Sequence, residues 1–128
     1  NNFTNVTIFD SVPKSSVNET LKLADCLYIG AKQSNLYKYG IGMNKLYDYM
    51  LSARPIICGI DAADNPVSLA DCGEVIPPQD EKAIARAVTQ FAEMPHDERE
   101  KIGENGREYV LKNHTYSVLA EKFADALR

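Results

Sequence analysis

A glycine-rich loop that leads into a helix carries the residues of this sequence best suited to chemistry. The stretch YGIGMNKLYDYML places Gly40 and Gly42 ahead of a helix that we predict over residues 43–53. Glycines let the backbone approach a ligand closely, and the first turn of a helix offers free N–H groups at the positive end of its dipole. The pattern therefore predicts an anion site, most naturally a phosphate site.

Three polar side chains are predicted to share the face of this helix opposite its apolar stripe. Asp48 follows Asn44 by four residues and Lys45 by three, and both spacings bring side chains together on a helix. A first-turn lysine opposes the helix dipole at a cost of about 0.3–1 kcal/mol unless an anion binds there. The Asp48 carboxylate can accept hydrogen bonds from sugar hydroxyl groups. The lysine and the carboxylate together predict a nucleotide-sugar diphosphate as the ligand, with its phosphates at residues 42–45 and its ribose at Asp48. The alternative is a solvated Lys45–Asp48 pair, which contributes little stability.

Composition and charge narrow the class of protein. The chain has 128 residues, of which 45% are hydrophobic and 25% charged, as in a globular domain. Its net charge of −4 disfavours nucleic acid as a partner. We expect a cytoplasmic protein without a transmembrane segment, because no apolar run approaches the roughly 20 residues that span a bilayer. Cys26, Cys58 and Cys72 are too far apart for a metal or redox motif. We expect Cys26 and Cys58, which lie in apolar strand-like runs, to be buried.

Short apolar segments alternate with helical ones along the chain. Strands are predicted at residues 6–9, 26–30, 55–60 and 74–77. Helices are predicted from a Ser16–Glu19 capping box to about residue 24, over 43–53, just before Gly73, from Asp80 to about 93, from Pro95 past 107–113, and after Thr115. This order predicts a Rossmann-like three-layer α/β/α fold with a short parallel sheet and a helical C-terminal tail. Ligands of such sheets bind at the carboxyl ends of the strands, where residues 31–42 would lie.

Three stretches together resemble a known family. The sequences YGIGMNKLYDYMLSARPII, NPVSLADCGEVIPPQDEKAIARAV and REKIGENGREYVLKNHTYSVLAEKF resemble, in order and spacing, the C-terminal half of group 1 (family 4-type) glycosyltransferases, which have the GT-B fold. The resemblance covers nearly all of the chain, from NVTIFDSVP onward. It implies the donor-binding part of a retaining bacterial-type glycosyltransferase, which transfers a sugar to a glycan or lipid-linked acceptor, as in surface polysaccharide biosynthesis.

The resemblance also implies roles for the residues of the loop and helix. Asp48 matches the second acid of the family's Glu-x7-Glu motif, which holds the donor ribose, although its side chain is one methylene shorter. The first acid of that motif, which contacts the donor sugar, falls at Gly40, which has no side chain. The groups that would hold the diphosphate are the backbone of Gly42, Met43 and Asn44 and the ammonium group of Lys45.

A second segment is implied near the base of the nucleotide. Ser11, Val12 and Pro13 match the part of the family that lies in that position. The resemblance implies neither a metal nor another cofactor, because the helix and cationic side chains stabilise the diphosphate. It assigns no catalytic residue within this chain.

Some parts of a whole glycosyltransferase of this type have no counterpart in the sequence. These are the acceptor-side domain and the first two strand–helix units of the donor-side domain. We therefore predict that residues 1–128 are a single, N-terminally truncated domain, which binds donor weakly and is inactive alone. Its partners would be the nucleotide-diphosphate sugar and the acceptor domain of the parent chain, at the inner face of the membrane. The strand at 6–9 would either pair with 26–30 or leave an open edge for a homodimer.

Three other functions are compatible with parts of the pattern. A non-catalytic module that binds a nucleotide sugar or a partner is favoured by Gly40 in place of an acid. A nucleotide-sugar 2-epimerase-like half would share the fold, but its own acid and histidine pattern is not evident at the donor loop. A flavodoxin-like signalling domain would need an acidic cluster at the ends of its first strands, where Asp10 stands alone.

Overall fold

The structure is a computed structural model that describes residues 3–128. Its sheet has three parallel strands in the order β1-β2-β3, with β1 at Leu27–Gly30, β2 at Ile56–Gly59 and β3 at Gly73–Val75. The register aligns Leu27 with Ile56, Ile29 with Cys58, Ile56 with Gly73, and Cys58 with Val75. Each of the three strands overlaps a segment predicted as a strand.

Helices make up most of the remaining described chain. They are α1 (Val17–Leu21), α2 (Asn44–Leu51), α3 (Pro66–Ala70), α4 (Glu81–Glu93), α5 (His96–Asn113) and α6 (Tyr116–Ala126). Short 3-10 helices cover Lys14–Ser16 and Asn35–Tyr39. Within residues 3–128, none of the helices combines the length and apolar character that a bilayer crossing requires.

Apolar side chains from both faces of the sheet are covered by helices. On one face, Ile56 and Cys58 of β2 belong to a buried cluster with Leu46 of α2 and Val67 of α3. On the other face, Ile57 belongs to a cluster with Ala83, Ala87 and Phe91 of α4. Alternate residues of a strand point to opposite faces, so β2 is buried throughout. The prediction of a mixed α/β fold with a short parallel sheet is confirmed.

The predicted strand at residues 6–9 is wrong. This segment has no regular structure, and its apolar side chains are exposed, with Ile8 at 92% and Phe9 at 83% of full exposure. β-branched residues favour a strand only where a neighbouring strand pairs with the backbone and a core covers one face. The segment has neither within the described chain. Pairing of this segment with β1 is therefore also wrong, and the outer edge of β1 has no strand beside it in the described residues.

The predicted capping box of α1 is also wrong. Ser16 has helical backbone angles (φ −102°, ψ −3°) because it ends the preceding 3-10 helix, and its side chain caps no N–H group. An N-cap side chain needs an extended backbone to reach the next turn. Instead, the Thr20 hydroxyl donates to the carbonyl oxygen of Ser16 at 2.8 Å. The helix ends at Leu21, and the guanidinium of Arg54 donates to the carbonyl oxygen of Lys22 at 2.6 Å.

Two other helices begin at the predicted residues, Asp80 and Thr115, whose side chains cap them. A carboxylate oxygen of Asp80 accepts from the N–H of Ala83 at 2.9 Å at the start of α4. The Thr115 hydroxyl accepts from the N–H of Val118 at 3.4 Å at the start of α6. Local cap sequences therefore set both helix starts.

Helix α5 packs closely and antiparallel along α2. A β-carbon at Gly103 would overlap the carbonyl oxygen of Ala53, and one at Gly106 would lie 3.5 Å from the α-carbon of Met50. The two glycines let the helix backbones approach. This packing fixes α2, and with it the polar face that carries the predicted site.

Candidate functional site

The loop between β1 and α2 is anchored at several points near the carboxyl ends of the strands. The Ser34 hydroxyl accepts from the N–H of Leu36 at 3.3 Å and starts the 3-10 helix of the loop, which was not predicted. The carbonyl oxygen of Tyr37 accepts from the N–H of Ala63 in the loop after β2 at 3.1 Å. Ile41 is buried in the core. These contacts fix the position of the loop and therefore the direction in which the chain enters α2.

Gly40 turns the loop toward α2. Its φ of +111° lies in a region that side-chain-bearing residues rarely adopt. A β-carbon added at Gly40 or Gly42 would meet no atom within 4 Å, so neither glycine is required by packing. The open space at both residues agrees with the predicted close approach of a ligand.

In the part of the chain that the structure describes, the start of α2 lacks the two side-chain groups that usually neutralise the positive end of a helix. The N-cap residue, Met43, has an extended backbone and no side-chain cap, and the first turn contains no acidic residue. Such orphan N–H groups are satisfied by water, by side chains or by ligands. The helix starts at Asn44, so the predicted phosphate-binding residues 42–45 lie together at this end.

The polar face predicted for α2 is confirmed. Asn44, Lys45 and Asp48 are exposed, whereas Leu46 and Met50 are fully buried beneath them. The salt bridges formed within residues 3–128 do not include a Lys45–Asp48 pair. Both side chains lie on an exposed face, so the alternative of an ordinary solvated surface stays open.

Asp48 lines a groove of about 400 Å³ on the outer helical layer, which we call the cationic groove. α1 and α5 form its walls, and α2 lies between them. Its lining residues are Lys14, Val17, Asn18, Lys22, Asp48, Leu51, Arg107 and Leu111. The first turn of α2 does not line this groove, so the structure separates the predicted ribose site from the predicted phosphate site by about one helical turn.

The residues predicted near the base lie at the entrance to α1. Ser11, Val12 and Pro13 are exposed, and the carbonyl oxygen of Pro13 accepts from the N–H of Ser16 at 2.8 Å. The next residue, Lys14, lines the cationic groove with Asp48. The segment predicted to lie near the nucleotide base therefore directly precedes Lys14, which lines the same groove as Asp48, the residue predicted to bind the ribose.

Three cations of the groove were missed by reasoning from the sequence. Lys14 and Lys22 stand at opposite ends of the α1 region, and Arg107 comes from α5. Lysine and arginine are common on exposed helix faces, so these residue types alone did not indicate a binding site. Only the packing of α1 and α5 on either side of α2 brings them to one surface.

Cys58 and Cys72 are buried in the core, whereas Cys26 is only partly buried. Burial raises the pKa of Cys72 to about 12 and that of Cys26 to about 11, and burial also raises the pKa of Cys58. The protonated thiol is a poor nucleophile and a poor metal ligand. Within the described chain, His, Cys, Asp and Glu side chains form no group of three or more that could hold a metal ion.

His114 packs against two tyrosines at the end of α5. Its ring centroid lies 4.5 Å from that of Tyr47 and 5.5 Å from that of Tyr109. Burial, and to a smaller extent the charge of Lys122, lowers the pKa of His114. The cluster ties the end of α5 to α2.

The fold and the candidate site define an α/β protein with a parallel sheet, an uncapped helix at the carboxyl ends of its strands, and a cationic groove beside it. In comparisons with protein-family models, curated proteins and solved structures, none matches this chain.

Proposed function

We propose that this chain is the donor-binding part of a retaining glycosyltransferase with the GT-B fold. It would bind a nucleotide-diphosphate sugar, whose sugar is transferred to a glycan or lipid-linked acceptor. The observation that carries the proposal is the start of α2, where Lys45 stands in a first turn that has neither a side-chain cap nor an acidic residue. A first-turn cation is unfavourable there unless an anion is bound.

The diphosphate would be stabilised by the backbone N–H groups at residues 42–45 and by the ammonium group of Lys45. Both are electropositive groups held in place before the ligand arrives. As the bond between the sugar and the diphosphate breaks, negative charge develops on the diphosphate oxygens. Fixed donors aimed at that charge lower the barrier to the reaction. No metal is part of this proposal.

Asp48 would orient the nucleotide through its ribose. Its carboxylate is exposed and takes part in none of the salt bridges of the described chain, so it can accept hydrogen bonds from two adjacent hydroxyl groups. It stands one turn beyond the predicted phosphate site on the same helix face. A ribose attached to the diphosphate would reach this position.

Exposed apolar side chains support the proposal that this domain works against a second one. Leu119 and Phe123 of α6 and its C-cap residue Leu127 recur at helical spacing, and Phe123 and Leu127 are 67% and 73% exposed. An apolar stripe of this kind on a surface helix is typical of an interface. The acceptor domain of the parent chain is the proposed occupant, at the inner face of the membrane.

Titration of the ¹⁵N-labelled chain with UDP, GDP and ADP tests the proposal. We expect one nucleotide to shift the amide signals of residues 42–45, and both Lys45→Ala and Asp48→Ala to weaken its binding by about tenfold or more. Lys82→Ala, on the exposed surface of α4, is the matched control and should leave binding unchanged. Absence of any shift at residues 42–45 with all three nucleotides would contradict the proposal.

A second candidate, a non-catalytic nucleotide-sugar-binding module, is favoured by Gly40. The family's sugar-contacting acid falls at this residue, where nothing lies within 4 Å of a β-carbon. This module would bind nucleotide sugar without cleaving it. Sugar release from the bound donor by the full-length parent protein would distinguish the transferase from the module.

A further inference from the structure

The cationic groove differs in charge from four other surface cavities of the described chain. It is lined by Lys14, Lys22 and Arg107 and by a single carboxylate, Asp48. In those four cavities, acidic side chains equal or outnumber basic ones. An excess of cations in one groove of a chain with net charge −4 marks a local site for an anion.

The cations of the groove are only weakly held by protein partners. Lys22 pairs with Glu19 at 3.1 Å and Arg107 with Glu104 at 3.1 Å, and both are exposed pairs on a single helix turn. Exposed pairs of this kind contribute little, so a ligand can recruit the cations at small cost. Lys14 takes part in none of the salt bridges formed within residues 3–128.

The groove also offers groups for an uncharged part of a ligand. Its aliphatic surface comes from Val17, Leu51 and Leu111, and the Asp48 carboxylate can accept hydrogen bonds from hydroxyl groups. Its volume of about 400 Å³ lies within the range of small-molecule sites. Cations, one acceptor and apolar walls together suit a small phosphorylated polyol.

We infer that the cationic groove binds a sugar phosphate, with its phosphate among the cations that line the groove and its ring hydroxyls at Asp48. The inference rests on the proposed hydroxyl-binding role of Asp48, but its cations are separate from the first turn of α2. The same chemistry can come from two sources. One is the nucleotide donor, and the other is a free sugar phosphate bound beside it.

Titration of the ¹⁵N-labelled chain with ribose 5-phosphate, ribose and inorganic phosphate tests the inference. We expect ribose 5-phosphate to shift the amide signals of Asn18, Asp48 and Arg107, with ribose binding far more weakly. The double variant Lys14→Gln/Arg107→Gln should weaken ribose 5-phosphate binding at least about tenfold, as loss of a charge-assisted hydrogen bond does. Lys82→Gln is the control for the loss of a surface charge.

A second variant separates the two halves of the site. Asp48→Asn removes the carboxylate charge but leaves the cations, so it should weaken the binding of ribose 5-phosphate without weakening that of inorganic phosphate. Unchanged core amide signals, such as those of Leu46 and Ile57, verify that each variant is folded. The inference is overturned if groove signals do not move, or if the double variant binds ribose 5-phosphate as Lys82→Gln does.

Competition identifies the source of the ligand. If a nucleoside diphosphate displaces ribose 5-phosphate, the groove is part of the donor site. If both bind together, the groove holds a separate sugar phosphate, and Asp48 does not bind the ribose of the nucleotide. Lys45→Ala distinguishes this inference from the proposed function. If Lys45→Ala loses nucleotide binding but still binds ribose 5-phosphate, the groove site is supported. If the unaltered protein binds a nucleotide but not ribose 5-phosphate, the groove inference is overturned and the proposed function is not.

Discussion

The α-carbon of Gly103 lies directly against the carbonyl oxygen of Ala53, with no space for a β-carbon between them. This contact joins the middle of α5 to the turn that follows α2. Because α2 carries the predicted site, the position of that site depends on a glycine in a different helix. The contact therefore links helix packing to the geometry of the polar face.

Gly103→Ala is expected to lower the free energy of unfolding by about 1–3 kcal/mol, because the added methyl group forces α5 away from α2. Urea denaturation followed by circular dichroism measures this change. Gly42→Ala is the matched control, since a β-carbon there would meet no atom within 4 Å. Equal effects of the two substitutions would contradict the close contact.

Ala53→Gly is expected to raise the free energy of unfolding by up to about 1 kcal/mol, because left-handed backbone is costly for residues with a β-carbon. Ala53 has a φ of +58° where the chain leaves α2. Ala85→Gly, in the exposed interior of α4, is the control and should lower stability by about 1 kcal/mol. Thermal unfolding of both variants measures whether each substitution raises or lowers stability. A loss of stability in Ala53→Gly would argue against the left-handed conformation of Ala53.

The side chains of Asp80 and Ser16 should contribute differently to the free energy of unfolding. Asp80→Ala removes the hydrogen bond to the N–H of Ala83 and is expected to cost about 0.5–2 kcal/mol. Ser16→Ala should cost much less, because the Ser16 side chain caps no N–H group. Chemical denaturation of the pair tests this difference, and similar losses would restore the capping box at Ser16.

Stability should fall as the pH is lowered from 7.5 to 5, in part through His114. Its pKa is lowered in the folded state, mainly by burial, so the unfolded chain binds the proton more readily. Its contribution is therefore present above the unfolded pKa and is lost as the pH falls toward the folded pKa. His114→Gln should show a shallower pH dependence of the urea midpoint than the unaltered protein. An identical dependence would rule out this role.

The three thiols should react slowly with alkylating reagents in the folded protein at pH 7.5. Burial raises their pKa values, to about 11 for Cys26 and about 12 for Cys72, so the reactive thiolate is rare. Labelling followed by mass spectrometry should give rapid modification only in denaturant. Rapid labelling of Cys72 in the folded protein would show that α5 and β3 open readily.

Local patterns in the sequence determined several elements. The apolar run of β2, the Asp80 cap with the apolar face of α4, and the polar face of α2 with Asn44, Lys45 and Asp48 all depend on residues close in the chain. Periodicity and capping act over a few residues, so they can be read without the fold. The class of fold, α/β with a parallel sheet, follows from their alternation.

Tertiary structure alone decided the rest. Residues 6–9 have the composition of a strand, but a strand needs a partner that local sequence does not supply. The cationic groove brings Lys14, Asp48 and Arg107 together from α2 and from the segments that flank it. No spacing in the sequence links those residues, because their proximity arises from helix packing, which rests on the glycine contact of α5 with the end of α2.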